Sequence, residues 1–202
     1  MIKINIKETN LKSNSYLNER TITDMIVIHH TGERDIDASA AEIDQWHKNQ
    51  GWTMIGYHFV IRKNGTIERG RPEYTIGSHA YGENWHTLGI HLSGDFEKAK
   101  PTDQQVEMCA MLIAYLCDKY NIPTDKNHIV GHCDLMSTDC PGKFLYSQLK
   151  TIIGKANWYR YQSTPDAVIK EVITIQSNSP IDENIKLKIK ALLDYAEVLF
   201  VT

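Results

Sequence analysis

The sequence has no apolar run approaching the ~20 residues that a membrane-crossing helix requires, so no membrane partner is expected. It has no excess of basic charge: 22 Lys and Arg stand against 25 Asp and Glu, a net charge of −3. Without a basic footprint, nucleic acid is excluded as a main partner. Cysteine is sparse and irregular. Cys109, Cys117, Cys133 and Cys140 form no CxxC pair and no framework, a reduced pattern rather than a disulfide-stapled one. Neither an internal repeat nor a low-complexity stretch is visible, which argues against a solenoid or a string of modules. Residues 1–7 alternate charge and apolarity and lack the apolar core of a signal peptide, so synthesis in the cytoplasm is expected. At 202 residues the chain has room for one sizeable domain and an appendage.

What is present reads as alternating strands and helices. Residues 25–29 are a short apolar run ending at Thr31-Gly32, a buried strand. Ser39-Ala40-Ala41-Glu42 is a capping box opening a helix to about Asn49, with Ile43, Trp46 and His47 as its expected inner face. Residues 57–62 and 66–69 flank Asn64-Gly65, a hairpin signal. Residues 88–93 form a strand with Leu88, Ile90 and Leu92 on one face and His91 on the other. Thr102-Asp103-Gln104-Gln105 caps a second helix, apolar nearly all round from Val106 to Tyr120 and so expected to be well covered. Residues 129–132 are a further strand, and Pro141 begins a helix reaching about Ile153. The order predicts an α/β protein with a central mixed β-sheet flanked by helices and a C-terminal helical tail.

Nine histidines are many for this length. His29 ends the first apolar strand; His132 and Cys140 lie eight residues apart around a loop closed by Pro141-Gly142. Two imidazoles and a thiolate would give Zn²⁺ three ligands and leave the fourth position open, the arrangement of catalytic rather than structural zinc. From spacing alone, ordinary core His and Cys residues remain an equal alternative.

A set of short elements bears on that choice. Ile28-His29-His30-Thr31, Gln45-Trp46-His47-Lys48, Gly51-Trp52, Gly56-Tyr57-His58-Phe59, Gly77-Ser78-His79-Ala80, Leu88-Gly89-Ile90, and Gly131-His132 with Cys140-Pro141-Gly142 follow one another over residues 22–150. In this order they resemble the zinc-dependent N-acetylmuramoyl-L-alanine amidases of type 2, which include phage amidase lysozymes and the peptidoglycan recognition proteins. The resemblance implies Zn²⁺ held by His29, His132 and Cys140. It implies hydrolysis of the amide between N-acetylmuramic acid and L-alanine in peptidoglycan, the metal activating water and polarising the carbonyl. It implies Tyr57 as the family's tyrosine, orienting water or supporting the oxyanion. Thr138 stands where phage amidases carry Lys and hydrolytic recognition proteins carry Thr. His91 replaces the catalytic Glu of recycling amidases and is expected to face the cleft and shuttle a proton. His79, Asn84 and His86 are expected to contact substrate.

Strand alternation turns His30 and Cys133 away from the metal. His47 is expected beside Trp46, His58 in the core and His128 at the surface. The resulting organisation is an N-terminal arm or edge strand over 1–21, the amidase domain over 22–154, and a helical extension over 155–202 for packing or oligomerisation. The activity implied is that of a phage or prophage cell-wall lysin, acting after release at lysis. A non-hydrolytic peptidoglycan-binding module and a cytosolic muropeptide-recycling amidase are the alternatives. Stem-peptide preference and oligomeric state are not specified by the sequence.

Overall fold

The computed structural model describes residues 2–162. Six strands form one sheet in the order β1-β4-β3-β5-β2-β6. They are β1 (Ile6–Lys7), β2 (Met25–His30), β3 (Phe59–Ile61), β4 (Ile67–Arg69), β5 (Thr87–Leu92) and β6 (Ile129–Gly131). Only β3 and β4 pair antiparallel; every other neighbour is parallel, so the sheet is mixed as the sequence predicts. The antiparallel pair is the Asn64-Gly65 hairpin, with Asn64 Oδ1 accepting from the Thr66 amide at 3.0 Å. Its first strand is shorter than expected. Tyr57 precedes the ladder, and the His58 amide donates to the Gly89 carbonyl instead.

The helices are α1 (Ala40–Asn49), α2 (Asp103–Tyr120) and α3 (Lys143–Gln162). Both expected capping boxes are formed, Ser39 with Glu42 and Thr102 with Gln105. The second box does more than start a helix. Gln105 is fully buried, and its Nε2 donates to the Ser93 carbonyl at 2.8 Å, fastening α2 to the end of β5. Helices α2 and α3 pack together on one face of the sheet. There Ile26, Ile28, Leu88, Ile90 and Leu92 meet Leu112, Leu116, Leu149 and Ile152 in the main core. At roughly 1.5–3 kcal/mol per fully buried aliphatic side chain, this face dominates folding.

The opposite sheet face carries Val60 under α1, in a smaller cluster with Ile43, Met54 and Ile55. The same face presents His29 and His91, which are register partners on β2 and β5. On α1 the fully buried positions are Ala40, Ile43 and Asp44; the expected Trp46 packs against the same cluster while half-buried, as is His47. Asp44 is admitted because its carboxylate is satisfied, accepting from the Ile55 amide at 2.8 Å and pairing with Lys48 at 2.6 Å.

The N-terminal arm is held as an edge: β1 runs parallel to β4, and Glu19 bridges to Thr75. Arg20 anchors it from inside, donating to the carbonyls of Thr75 and Glu73 at 2.8 and 2.6 Å. At the other end α3 continues past the boundary expected at residue 154. Ala156 is buried, Lys155 pairs with Glu107, and Arg160 bonds Asp118. The helices expected within 165–172 and 179–202 lie outside the described residues.

Candidate metal centre

His29 sits near the end of β2, paired in parallel with His91 of β5 and one residue past the last β2–β6 pair. It is buried, with its Nδ1 3.6 Å from Cys140 Sγ and its ring 4.5 Å from that of His132. One ligand atom from each of His29, His132 and Cys140 lies within 4.8 Å of the others. Among the described residues this group has no fourth donor. A divalent ion fits these residues on chemical grounds. His132 Nε2 is buried with no hydrogen-bond partner, an expense that a cation would remove. Burial, reinforced by the neighbouring His79, His132 and His91, holds His29 well below the ordinary histidine range, so its ring is neutral and ready to donate a lone pair. Burial pushes the Cys140 thiol up to about 12, and a cation is what would stabilise its thiolate.

The loop bearing Cys140 is pinned at several points. The Cys133 amide donates to the Cys140 carbonyl at 2.7 Å, the Gly142 amide to Asp139 at 2.7 Å, and the Cys140 amide to Thr138 Oγ1 at 3.3 Å. Thr138 thus braces the loop while its hydroxyl proton stays available to a ligand. His132 does not lie in a strand as expected: β6 stops at Gly131, and His132–Asp134 form a 3-10 turn. Asp134 holds that turn, accepting from the Gly131 amide at 2.8 Å and the Tyr146 hydroxyl at 2.6 Å. Alternation therefore does not exclude Cys133; its absence from the converging group does. His30 does face away, its Nδ1 accepting from the Phe96 amide at 3.1 Å.

Tyr57 reaches the centre from the segment before β3, its ring 5.0 Å from His29 and 4.8 Å from His91. It is partly exposed, and burial of the phenol, with the Cys140 thiol close by, raises its pKa, so it is a hydroxyl donor. His91 lies beside it on the expected face. Burial lowers His91 to about 3, and a cation nearby would lower it further. It is a neutral hydrogen-bonding ring, with Nε2 3.3 Å from Thr31 Oγ1 and Nδ1 buried and unpartnered. His47 stacks on exposed Trp52 at 4.3 Å, and its Nδ1 accepts from the Gly56 amide. Thr31, Trp46 and His47 line a groove of about 350 Å³ beside α1.

The three expected substrate contacts sit elsewhere. His79 is buried, its Nδ1 3.0 Å from His29 Nε2, behind the converging donors. Asn84 Oδ1 accepts from the His79 and Ala80 amides at 2.8 and 2.9 Å, bracing the loop that carries His79. His86 is tied between Asp24 and Glu83 at the start of β5. The ring nitrogens of His79 and His86 and the Oδ1 of Asn84 all have partners inside the protein. The element Gly77-Ser78-His79-Ala80 and the glycine of Leu88-Gly89-Ile90 have one steric purpose: a Cβ on Gly77 or Gly89 would come within 2.5 or 2.6 Å of the His79 ring. His58 underlies them. Its Nδ1 accepts the Gly89 amide at 2.9 Å, so its proton lies on Nε2 toward the Thr75 carbonyl.

A mixed sheet with helices on both faces, and two imidazoles and a thiol converging at a strand end, are the arrangement of a hydrolase whose donor group could hold a metal ion. The chain belongs to the N-acetylmuramoyl-L-alanine amidase family, whose model matches residues 18–143. It is 34% identical over 139 residues to the endolysin of Enterobacteria phage K11, covering 66% of this chain and 89% of the relative. Among solved structures it is similar to the amidase LysC from Clostridium intestinale, with 40% identity and a TM-score of 0.68. That match covers 75% of this chain and 99% of LysC. It is also similar to peptidoglycan recognition protein LE in complex with tracheal cytotoxin, a monomeric diaminopimelic acid-type peptidoglycan. There the identity is 29% and the TM-score 0.64, over 72% of this chain and 92% of that one. The protein is a peptidoglycan amidase of the N-acetylmuramoyl-L-alanine type.

Proposed function

We propose that the chain is a zinc-dependent cell-wall lysin in which His29, His132 and Cys140 hold the ion. The observation that carries this reading is the convergence of three donors with no fourth among the described residues. Bound zinc supplies Lewis acidity toward water and the scissile carbonyl. Tyr57, a phenol kept protonated beside His29, donates a hydrogen bond toward the developing oxyanion. Thr138 offers a second, uncharged donor from the Cys140 loop. His91 stays neutral and packs beside Tyr57, its Nε2 3.3 Å from Thr31 Oγ1. The groove lined by Thr31, Trp46 and His47 receives the substrate, with the exposed Trp52 ring lying against His47. The ligand is the glycan strand with its stem peptide, in keeping with the peptidoglycan fragment bound by the recognition-protein relative. The lysin role is drawn from the phage endolysins among its relatives.

Mass spectrometry of purified peptidoglycan, digested with and without chelator, tests the reading. Wild-type protein containing one zinc should release stem peptides with a free L-alanine amino terminus, and chelator should stop it. Cys140→Ser should lose zinc and at least ~10³-fold in rate, since metal polarisation is worth several kcal/mol at about 1.4 per tenfold. Full activity in Cys140→Ser, or cleavage at another bond, would end the reading.

A further inference from the structure

We propose that Thr87 is a positioning residue which, acting through His79, sets the tautomer of His29 so that Nδ1 presents its lone pair to the metal. The inference rests on the zinc reading and goes beyond the three ligands. The main-chain carbonyl of Glu83 can only accept a hydrogen bond. Thr87 Oγ1 lies 2.8 Å from the Glu83 carbonyl, so the hydroxyl proton is spent there. The Thr87 oxygen can then only accept from His79 Nε2, 3.5 Å away, and the Thr87 main chain is a further acceptor for this ring. His79 therefore carries its proton on Nε2 and bears a lone pair on Nδ1. That lone pair faces His29 Nε2 at 3.0 Å. His29 must place its proton on Nε2, which leaves Nδ1 bare at the side where Cys140 Sγ stands 3.6 Å away.

Each step fixes the next because a neutral imidazole has one donor and one acceptor. A half-turn of the His79 ring would point carbon atoms at His29 and Thr87 and lose both contacts. Gly77 and Gly89 form a slot around it, and either bearing a Cβ would overlap the ring. Asn84 holds the His79 main chain from the loop side. Such outer partners orient metal-binding histidines and raise their basicity, and losing one typically weakens metal binding about 10–100-fold.

Long-range proton–nitrogen NMR of the metal-free protein reads the tautomer directly. The expected spectrum shows the His29 and His79 protons on Nε2. Zinc affinity, measured by competition with a chromophoric chelator, reads the consequence. His79→Leu should bind zinc about 10–100-fold more weakly, Thr87→Val about tenfold, and Thr87→Ser as wild type. A His29 proton on Nδ1 overturns the proposal, as does unchanged affinity in a folded Thr87→Val protein. Should a variant fail to fold, the wild-type spectrum still decides. Wild-type protein that takes up no zinc would overturn the metal centre instead, a result separable from the tautomer.

Discussion

His86 shows how one side chain can look functional in sequence and prove structural. Burial alone would lower its pKa, but hydrogen bonds to Asp24 and Glu83 outweigh burial and leave it raised. A raised folded pKa stabilises the protein fully below the unfolded value of about 6.5, and that stability fades as pH rises through the folded value. His86→Gln should therefore destabilise the protein at pH 5.5, by no more than ~1 kcal/mol because both carboxylates are substantially exposed. The difference should shrink toward pH 8. Equal denaturant midpoint shifts at both pH values would refute it. His91 contrasts with it. No carboxylate compensates its burial, so it stays neutral where His86 charges. The two residues are five positions apart in the sequence. Their opposite behaviour is a property of neighbours, not of residue type.

At the scale of elements, α3 is the one most underestimated from sequence. Gly154 and the polar residues after it read as an end, yet the helix runs to Gln162. Tertiary partners override the glycine: Ala156 is buried against α2, Asn157 donates to the Thr124 carbonyl at 2.8 Å, and Arg160 bonds Asp118 and Thr124. A chain ended at residue 154 should melt lower than one ended at 162, with a loss on the order of 2–4 kcal/mol from a buried alanine and several part-buried polar contacts. Equal melting temperatures would contradict this packing. The capping boxes of α1 and α2 were legible because they are local, a hydroxyl and a carboxylate or amide three residues apart. The strand expected to carry His132 was misread for the complementary reason. Its end is set by Asp134 and Tyr146, and Tyr146 is twelve residues away from Asp134.

For the whole molecule, the metal centre joins β2, the turn after β6 and the Cys140 loop, which are otherwise held by the sheet and α3. An ion bound there binds the folded state and not the separated segments. Stability should therefore rise with free zinc as RT ln(1 + [Zn]/Kd), about 2.7 kcal/mol at one hundred times Kd. Chelator should lower the melting temperature of the wild type but not of Cys140→Ser. An equal shift in both would place the effect outside this centre.

The sequence by itself determined the family, the mixed α/β class, the three converging donors and the two helix caps. All rest on residue identity at short range, or on motifs kept in fixed order. Only the tertiary structure decided that His79 is buried against His29, that burial lowers the pKa of His91, and that Gly77 and Gly89 make room for a ring. Those outcomes depend on which surfaces close over which atoms. The decisive partners, His29 for His79 and Thr31 for His91, stand 50 and 60 positions away, a separation across which no local pattern carries information.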